Sequence, residues 1–201
     1  MSTEQSPFPP GFTISTTRLQ ITPFDPTSQI HCRFLVQLWN TDDFINSSGR
    51  TGIDTPEKAS SFIQNRVIPS YARNRYGQFL VSLHDGRHIG MVSLMKGSPP
   101  DAHYTAPDVG YAILPEESGK GYATEVGKGV LEYAREDLGI EAAFGFCVAE
   151  DMRSRRVLEK IGLVFRGVGD LVVFGGKRSA VYALPSMGDL EAYNLTEKLE
   201  V

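Results

Sequence analysis

The chain has 201 residues, 41% hydrophobic and 22% charged, with 20 Lys and Arg against 24 Asp and Glu for a net charge of −4. That length and balance suit one globular domain with an ordinary core, and they exclude a disordered chain and a general nucleic-acid binder, which carries a basic face. Cys32 and Cys147 are too far apart to suggest a disulfide framework or paired metal motif, no segment approaches the ~18 apolar residues of a membrane span, and the polar, Pro-rich start lacks a secretory signal's basic and apolar parts. A cytoplasmic protein with no membrane or nucleic-acid partner is the expectation.

Residues 1–10 are expected to be a loose tail. Thr16 to Phe24 alternates around Leu19 and Ile21 and reads as a strand, closed by Pro23 and Pro26. His31 to Asn40 spaces Phe34, Leu35, Leu38 and Trp39 as a helix does, and a polar stretch follows to Asp54. Thr55 is placed to cap a second helix with Pro56 at its first position, continued by Ala59, Phe62, Ile63, Val67 and Ile68. Phe79 to Leu83 and Ile89 to Met95 read as strands about an Asp85-Gly86 turn, followed by a Pro- and Gly-rich loop to Pro107 and a strand from Val109 to Leu114. The strongest helix runs from Gly121 to Leu138, striped by Ala123, Val126, Val130, Ala134 and Leu138 and stopped by Gly139. A strand from Ala142 to Val148, a short helix capped by Asp151, and a hairpin of Val164 to Phe174 and Arg178 to Leu184 about Gly175-Gly176 complete the order. Strands and helices are mixed, so the fold class is α/β (α+β) in a single domain over 11–186. Residues 187–201 form a tail or short helix with an amphipathic run of Leu190, Tyr193, Leu195 and Leu199, able to pack on the domain or on a second copy. Monomer and homodimer stay open.

One stretch carries chemistry. Between Leu114 and Glu125 a strand ends, Ser118-Gly119-Lys120-Gly121 follows, and a long helix begins. Free N–H groups of a first helical turn form an anion site, Gly119 and Gly121 admit a phosphate close to the backbone, and Lys120 adds charge. It is not a Walker loop, because Leu114 and Gly121 stand where Gly and Ser or Thr are needed, and it is not a dinucleotide fingerprint, because Thr124 replaces the third Gly. A plain glycine turn feeding a helix is the alternative. A second stretch, Asp151 to Leu163, places Arg153, Arg155 and Arg156 near a helix start, where their charge opposes the helix dipole; a bound anion or a solvated basic face accounts for that.

Taken together the two stretches resemble the cofactor motifs of the GNAT superfamily of acyl-coenzyme A N-acyltransferases, and within it the ribosomal-protein-alanine acetyltransferase-like branch. The residues that carry this are Asp108-Val109-Gly110-Tyr111, then Gly119-Lys120-Gly121-Tyr122-Ala123-Thr124-Glu125, then Ser154 with Val157-Leu158-Glu159-Lys160 and Gly162; Arg18-Leu19 and Ile89-Gly90 also fit. The resemblance spans about Thr16 to Leu184. It implies a mixed, mostly antiparallel sheet that splays open, helices on both faces, and acetyl-CoA as co-substrate with no metal. It further implies that backbone groups of Ile113 and Leu114 pair with the pantetheine arm, that the loop from Ser118 through Gly119, Lys120, Gly121, Tyr122, Ala123 and Thr124 holds the pyrophosphate, and that Asp151, Ser154 and Arg155 touch the cofactor further along. Four positions depart from the pattern. Acids stand at Glu116 and Glu117, Asp151 replaces the usual Asn, and Leu158 occupies the place where many members carry a thiolate-protonating Tyr.

The reaction implied is direct attack of a primary amine, on a small molecule or a peptide N-terminus, upon the thioester. It needs a base, and Asp108, Glu150 and His103 are the candidates; Asp108 and Glu150 read equally as polar strand ends, and His103 as a solvated loop residue. Tyr111 is a possible proton donor or a packed aromatic. Cys147, in an apolar strand, reads as core, and His84 and His88 read as surface residues. The acceptor pocket is expected from Trp39, Phe44, the Asn46–Asp54 loop, Phe62, Arg66 and Tyr76, with Asp42, Asp43 and Asp54 available to a cationic amine. The competing reading is a non-catalytic acyl-CoA-binding or regulatory domain on the same scaffold, since a fold alone does not establish function.

Overall fold

A computed structural model of the chain describes residues 7–96 and 104–201. In chain order it contains β1 (Ile14–Ser15), β2 (Leu19–Pro23), α1 (Gln29–Trp39), α2 (Asp42–Ser48), α3 (Pro56–Phe62), α4 (Ile68–Asn74), β3 (Gln78–Leu83), β4 (His88–Met95), β5 (Asp108–Ile113), α5 (Tyr122–Leu138), β6 (Phe144–Val148), α6 (Met152–Lys160), β7 (Val164–Leu171) and β8 (Lys177–Ala183). The strands follow the order β1-β2-β3-β4-β5-β6-β8-β7. Pairs β1/β2, β2/β3, β3/β4, β6/β8 and β7/β8 are antiparallel and β5/β6 is parallel, the mixed, mostly antiparallel sheet that was expected. By contacts the chain divides into two units, one of residues up to Ser93 with Tyr111–Gly129, the other of Leu94–Gly110 with Val130–Val201. The divisions fall inside β4, β5 and α5, so no change of composition marks them in the sequence.

In the first unit the helices start where capping side chains stand. Ser28 accepts the N–H of His31 to open α1, and Thr55 accepts that of Lys58 to open α3, with Pro56 at the first position. α1 buries Cys32, Phe34, Leu35, Leu38 and Trp39. The polar stretch after it contains a helix that periodicity does not reveal. α2 is capped by Thr41, carries Asp42 and Asp43 in its first turn, where the helix dipole favours acids, and has no buried residue, so no apolar stripe betrays it. Between α3 and α4 the helix widens into a π turn over Ile63–Val67. Pro69, just beyond, lacks the N–H that an α turn would bond there. Phe8 lies inside the expected loose tail, yet it is 7% exposed, stacking on Phe12 and meeting Tyr71 and Phe79. His88 is likewise not a surface residue: it is half-buried, its ring 5.4 Å from those of His31 and Phe34, and burial holds it below the usual histidine range.

Close approach of β4 to β5 depends on Gly90. A methyl there runs into the carbonyl oxygen of Ala112 and comes within 2.6 Å of Ile113 Cδ1. Gly90→Ala is therefore expected to lower stability by about 1–3 kcal/mol, read as a fall in the urea midpoint at unchanged slope.

The second unit is built on β6, β8 and β7. Asp151 caps α6 by accepting the N–H groups of Arg153 and Ser154. β7 ends at Leu171 rather than Phe174, and a 3₁₀ turn over Val172–Phe174 leads into Gly175-Gly176, both with positive φ, as the hairpin requires. The C-terminal segment is spent on its own unit. Met187 and Leu195 are buried in a cluster with Tyr104, Phe144, Leu171 and Val181, and Leu190, Tyr193 and Leu199 pack against it. Glu200 bridges Val168 in both backbone directions.

Candidate active site

The loop before α5 belongs to the first unit. Leu114 donates its N–H to the Ile89 carbonyl and accepts from Glu117, and Ser118 donates to Pro115, closing a short 3₁₀ turn. The Leu114 N–H is thereby engaged with β4, and the Leu114 carbonyl and the Ser118 N–H with the turn. Beyond them the backbone opens. Gly119 (φ 79°) and Gly121 (φ 83°) are left-handed, and no backbone carbonyl among the described residues accepts from Gly119, Lys120 or Gly121. The N–H groups of Tyr122, Ala123 and Thr124, in the first turn of α5, have no partner within the helix, and no backbone carbonyl among the described residues accepts from them. A row of unpaired donors at a 17-residue helix start fits a pyrophosphate by its donor chemistry.

Sequence alone set two acids beside that site. Glu116 is exposed, but Glu117 is 4% exposed and turned inward, its carboxylate accepting from Lys120 Nζ at 2.8 Å and from Arg87. Hydrogen bonds from Lys120, then Arg87, hold it below the usual carboxylate range. Lys120 therefore neutralises Glu117 rather than offering a free charge to a ligand. Accordingly Lys120→Gln is expected to weaken acetyl-CoA by less than about tenfold, the worth of one exposed ion pair, when titrated by calorimetry.

Behind the loop stands a clamp that pattern reading missed. Glu125, on α5, accepts from the Thr16 hydroxyl (2.7 Å), the Arg18 N–H (2.7 Å) and Arg18 Nε (2.6 Å). Arg18 also donates to the Lys120 carbonyl at 3.0 Å and lies 4.6 Å above the Tyr122 ring. Burial pushes the Glu125 carboxyl up, and the bonds from Thr16 and Arg18 outweigh it, so the net shift is downward. The residues that tie β2 to the loop are 107 positions apart in the chain; the only signal for them was Arg18-Leu19 within the family resemblance.

In the second unit Asp151 holds Ser154, accepting its N–H at 3.1 Å and its hydroxyl at 2.7 Å. Arg155 is partly exposed: Nε donates to Tyr182 Oη at 3.1 Å, and the guanidinium sits 4.6 Å above Phe165. Its nitrogens also reach the Ala149 carbonyl, at 3.4 Å. Cys147 is no nucleophile at neutral pH, since burial first and the Asp151 charge second push its thiol up to about 12.

Of the candidate bases, Asp108 stands apart. It opens β5, pairs with Phe144 of β6, and burial pushes its carboxyl up to about 7 against the pull of a backbone hydrogen bond. Glu150 is an exposed turn residue whose carbonyl accepts from Met152. Tyr111 is partly buried on β5, and His103 lies outside the described residues. Among the expected pocket residues, Trp39 stacks on Phe44 and meets Phe62 edge-on, Tyr76 is buried, and Asp54 pairs with Lys58.

Residues 18–164 match the family model described as an acetyltransferase (GNAT) domain. The chain belongs to the GNAT acetyltransferase family. A curated relative, the uncharacterized N-acetyltransferase YnaD of Bacillus subtilis (strain 168), is 32% identical over 56 residues, which is 28% of this chain and 33% of that one, so the match spans a third of the relative's length. The fold is similar to that of a GNAT-family acetyltransferase from Bacillus anthracis, with TM-score 0.68 and 22% identity over 86% of this chain and 98% of that one. It is similar also to RimL, a ribosomal L7/L12 alpha-N-protein acetyltransferase in complex with coenzyme A, with TM-score 0.70 and 16% identity over 86% and 97%.

Against the GNAT pattern the departures acquire physical content. Leu158, in the place of the usual Tyr, is 1% exposed and part of the core. Asp151 in place of Asn makes a complete helix cap, for which a carboxylate serves as well. No helix among the described residues is long and apolar enough to cross a membrane, and none of their His, Cys, Asp and Glu groups makes a metal-binding cluster.

Proposed function

We propose that this GNAT chain is an N-acetyltransferase of the ribosomal-protein-alanine acetyltransferase-like branch, acting on a primary amine of a small molecule or a peptide N-terminus. The observation that carries the reading is the unpaired donor row from Gly119 to Thr124 with the neighbouring acid already neutralised. When bound, acetyl-CoA supplies a thioester whose C–S bond breaks as the amine nitrogen bonds to the acyl carbon. The N–H groups from Gly119 to Thr124 hold the pyrophosphate, and the Ile113 backbone aligns the arm. Asp108 takes the proton of the ammonium. With a carboxyl near 7, close to working pH, it matches the strength that general-base catalysis favours. Tyr111 serves as donor to the departing thiolate. Peptide N-termini gain support from the fold's similarity to RimL, an alpha-N-protein acetyltransferase.

Thermal unfolding with acetyl-CoA, free CoA and ATP tests the cofactor. At a hundredfold excess over Kd, binding adds about 2.7 kcal/mol, which moves Tm by several degrees. A shift with both CoA forms and none with ATP is the expected result; no shift with either CoA form overturns the reading. A panel of amines and N-terminal peptides then tests transfer. Firm cofactor binding without turnover of any acceptor assigns the chain to the non-catalytic acyl-CoA-binding reading, which Leu158 in place of Tyr favours.

A further inference from the structure

The C-terminal segment reaches the same face of the sheet as Asp108. Residues paired across neighbouring strands project to one face, so Asp108 and its partner Phe144 share a side. The Phe144 ring lies 5.5 Å from Tyr104, which precedes β5, and 6.2 Å from Tyr193 of the C-terminal segment, edge-on. Two hydrogen bonds hold that segment to the residues leading into β5. Thr105 donates its N–H to the Tyr193 carbonyl at 3.2 Å, and Tyr104 donates its hydroxyl to Glu197 Oε1 at 3.0 Å. Met187 and Leu195 close the cluster from the same segment.

We propose that Glu197 is a positioning residue: through Tyr104 it holds the C-terminal segment over the Asp108–Phe144 face, keeps water from that face, and so sets the proton affinity of the Asp108 carboxyl. The inference rests on the reading of Asp108 as the base. The titratable groups on this face are Tyr104, from the segment before β5, and Tyr193 and Glu197, from the C-terminal segment; β6, β7 and β8 bring apolar side chains to the cluster. Burial, then Glu197, then Asp108 raise the Tyr104 hydroxyl, so it stays a proton donor across the working range. With the bond to Glu197 broken, the segment loosens, water reaches Asp108, and its ionised form gains solvation.

Carboxyl ¹³C NMR of the full chain decides it, with the Asp108 resonance assigned by its loss in Asp108→Asn. The wild type is expected to titrate near 7. Tyr104→Phe and Glu197→Ala each lower the midpoint by about one unit or more, toward the ordinary Asp value, while Glu197→Gln, which keeps an acceptor for Tyr104, leaves it in place. The acid limb of kcat/KM moves with the midpoint. Midpoints in Tyr104→Phe and Glu197→Ala equal to the wild type overturn the proposal, as does a wild-type midpoint near 4. Failure of the activity reading shows differently: the wild type then turns over no amine, while the carboxyl midpoints still report whether the segment governs Asp108.

Discussion

Gly121→Val is expected to abolish the acetyl-CoA-induced rise in Tm. Gly121 sits at φ 83°, where a β-branched residue is strained, and its Cβ would lie 3.4 Å from Arg18 Nη2 in the clamp behind the loop. The left-handed conformation costs an L-residue about 1–2 kcal/mol, so the loop relaxes away from it and its N–H groups turn from the ligand. A hydrogen bond to a charged group contributes about 1.5–3 kcal/mol. Losing two of them weakens acetyl-CoA by about 100-fold or more. Calorimetric titration reads that loss. Gly139→Ala is the control, because Gly139 is also left-handed (φ 67°) but ends α5 at its far end. It is expected to lower Tm while leaving the acetyl-CoA shift in place. If Gly121→Val keeps wild-type affinity, the donor row is not the pyrophosphate site.

Asp108→Asn is expected to do two opposite things. It removes the base, so kcat/KM falls by about 10²–10⁴. It also removes an ionisable group whose charged form is desolvated, so stability at pH 8 rises. The carboxyl goes from about 3.9 in the unfolded chain to about 7 in the folded one. Between those values the native state binds the extra proton, so wild-type stability falls as pH rises from about 4 to about 7 and is flat above. Asp108→Asn lacks that slope. The two proteins converge in stability near pH 3, and the variant leads by on the order of 1–4 kcal/mol at pH 8. Urea denaturation across pH measures one effect and initial rates the other. A rate that does not change removes Asp108 from the chemistry; a variant less stable at pH 8 shows that its carboxylate is not held at a cost.

Most of the elements were legible because local rules and burial agree in them. Thr55-Pro56 marks a helix start by its own chemistry, the stripe on α5 repeats at helical spacing, and Gly175-Gly176 can only be a turn. α2 was not legible, since a helix with no buried residue leaves no periodic trace. The same holds at the site. Left-handed glycines ahead of a long helix are a property of a short run of chain, so the donor row was visible in the residues themselves.

The charges around that row were not. Glu117 beside Gly119 predicts repulsion of a phosphate, and only the folded chain brings Arg87 to it, 30 residues away, and pairs its inward carboxylate with Lys120. The bond from Arg155 to Tyr182, 27 residues away, is likewise set by the folded chain. The strength of Asp108 as a base, and the way residues 187–201 pack, also come from the tertiary structure. By itself the sequence determined the family pattern, most of the element order and the loop, each of which rests on neighbours in the chain. Which charges are neutralised, which carboxyl is desolvated and what covers it depend on partners distant in sequence, because electrostatic energy and burial are set by proximity in space.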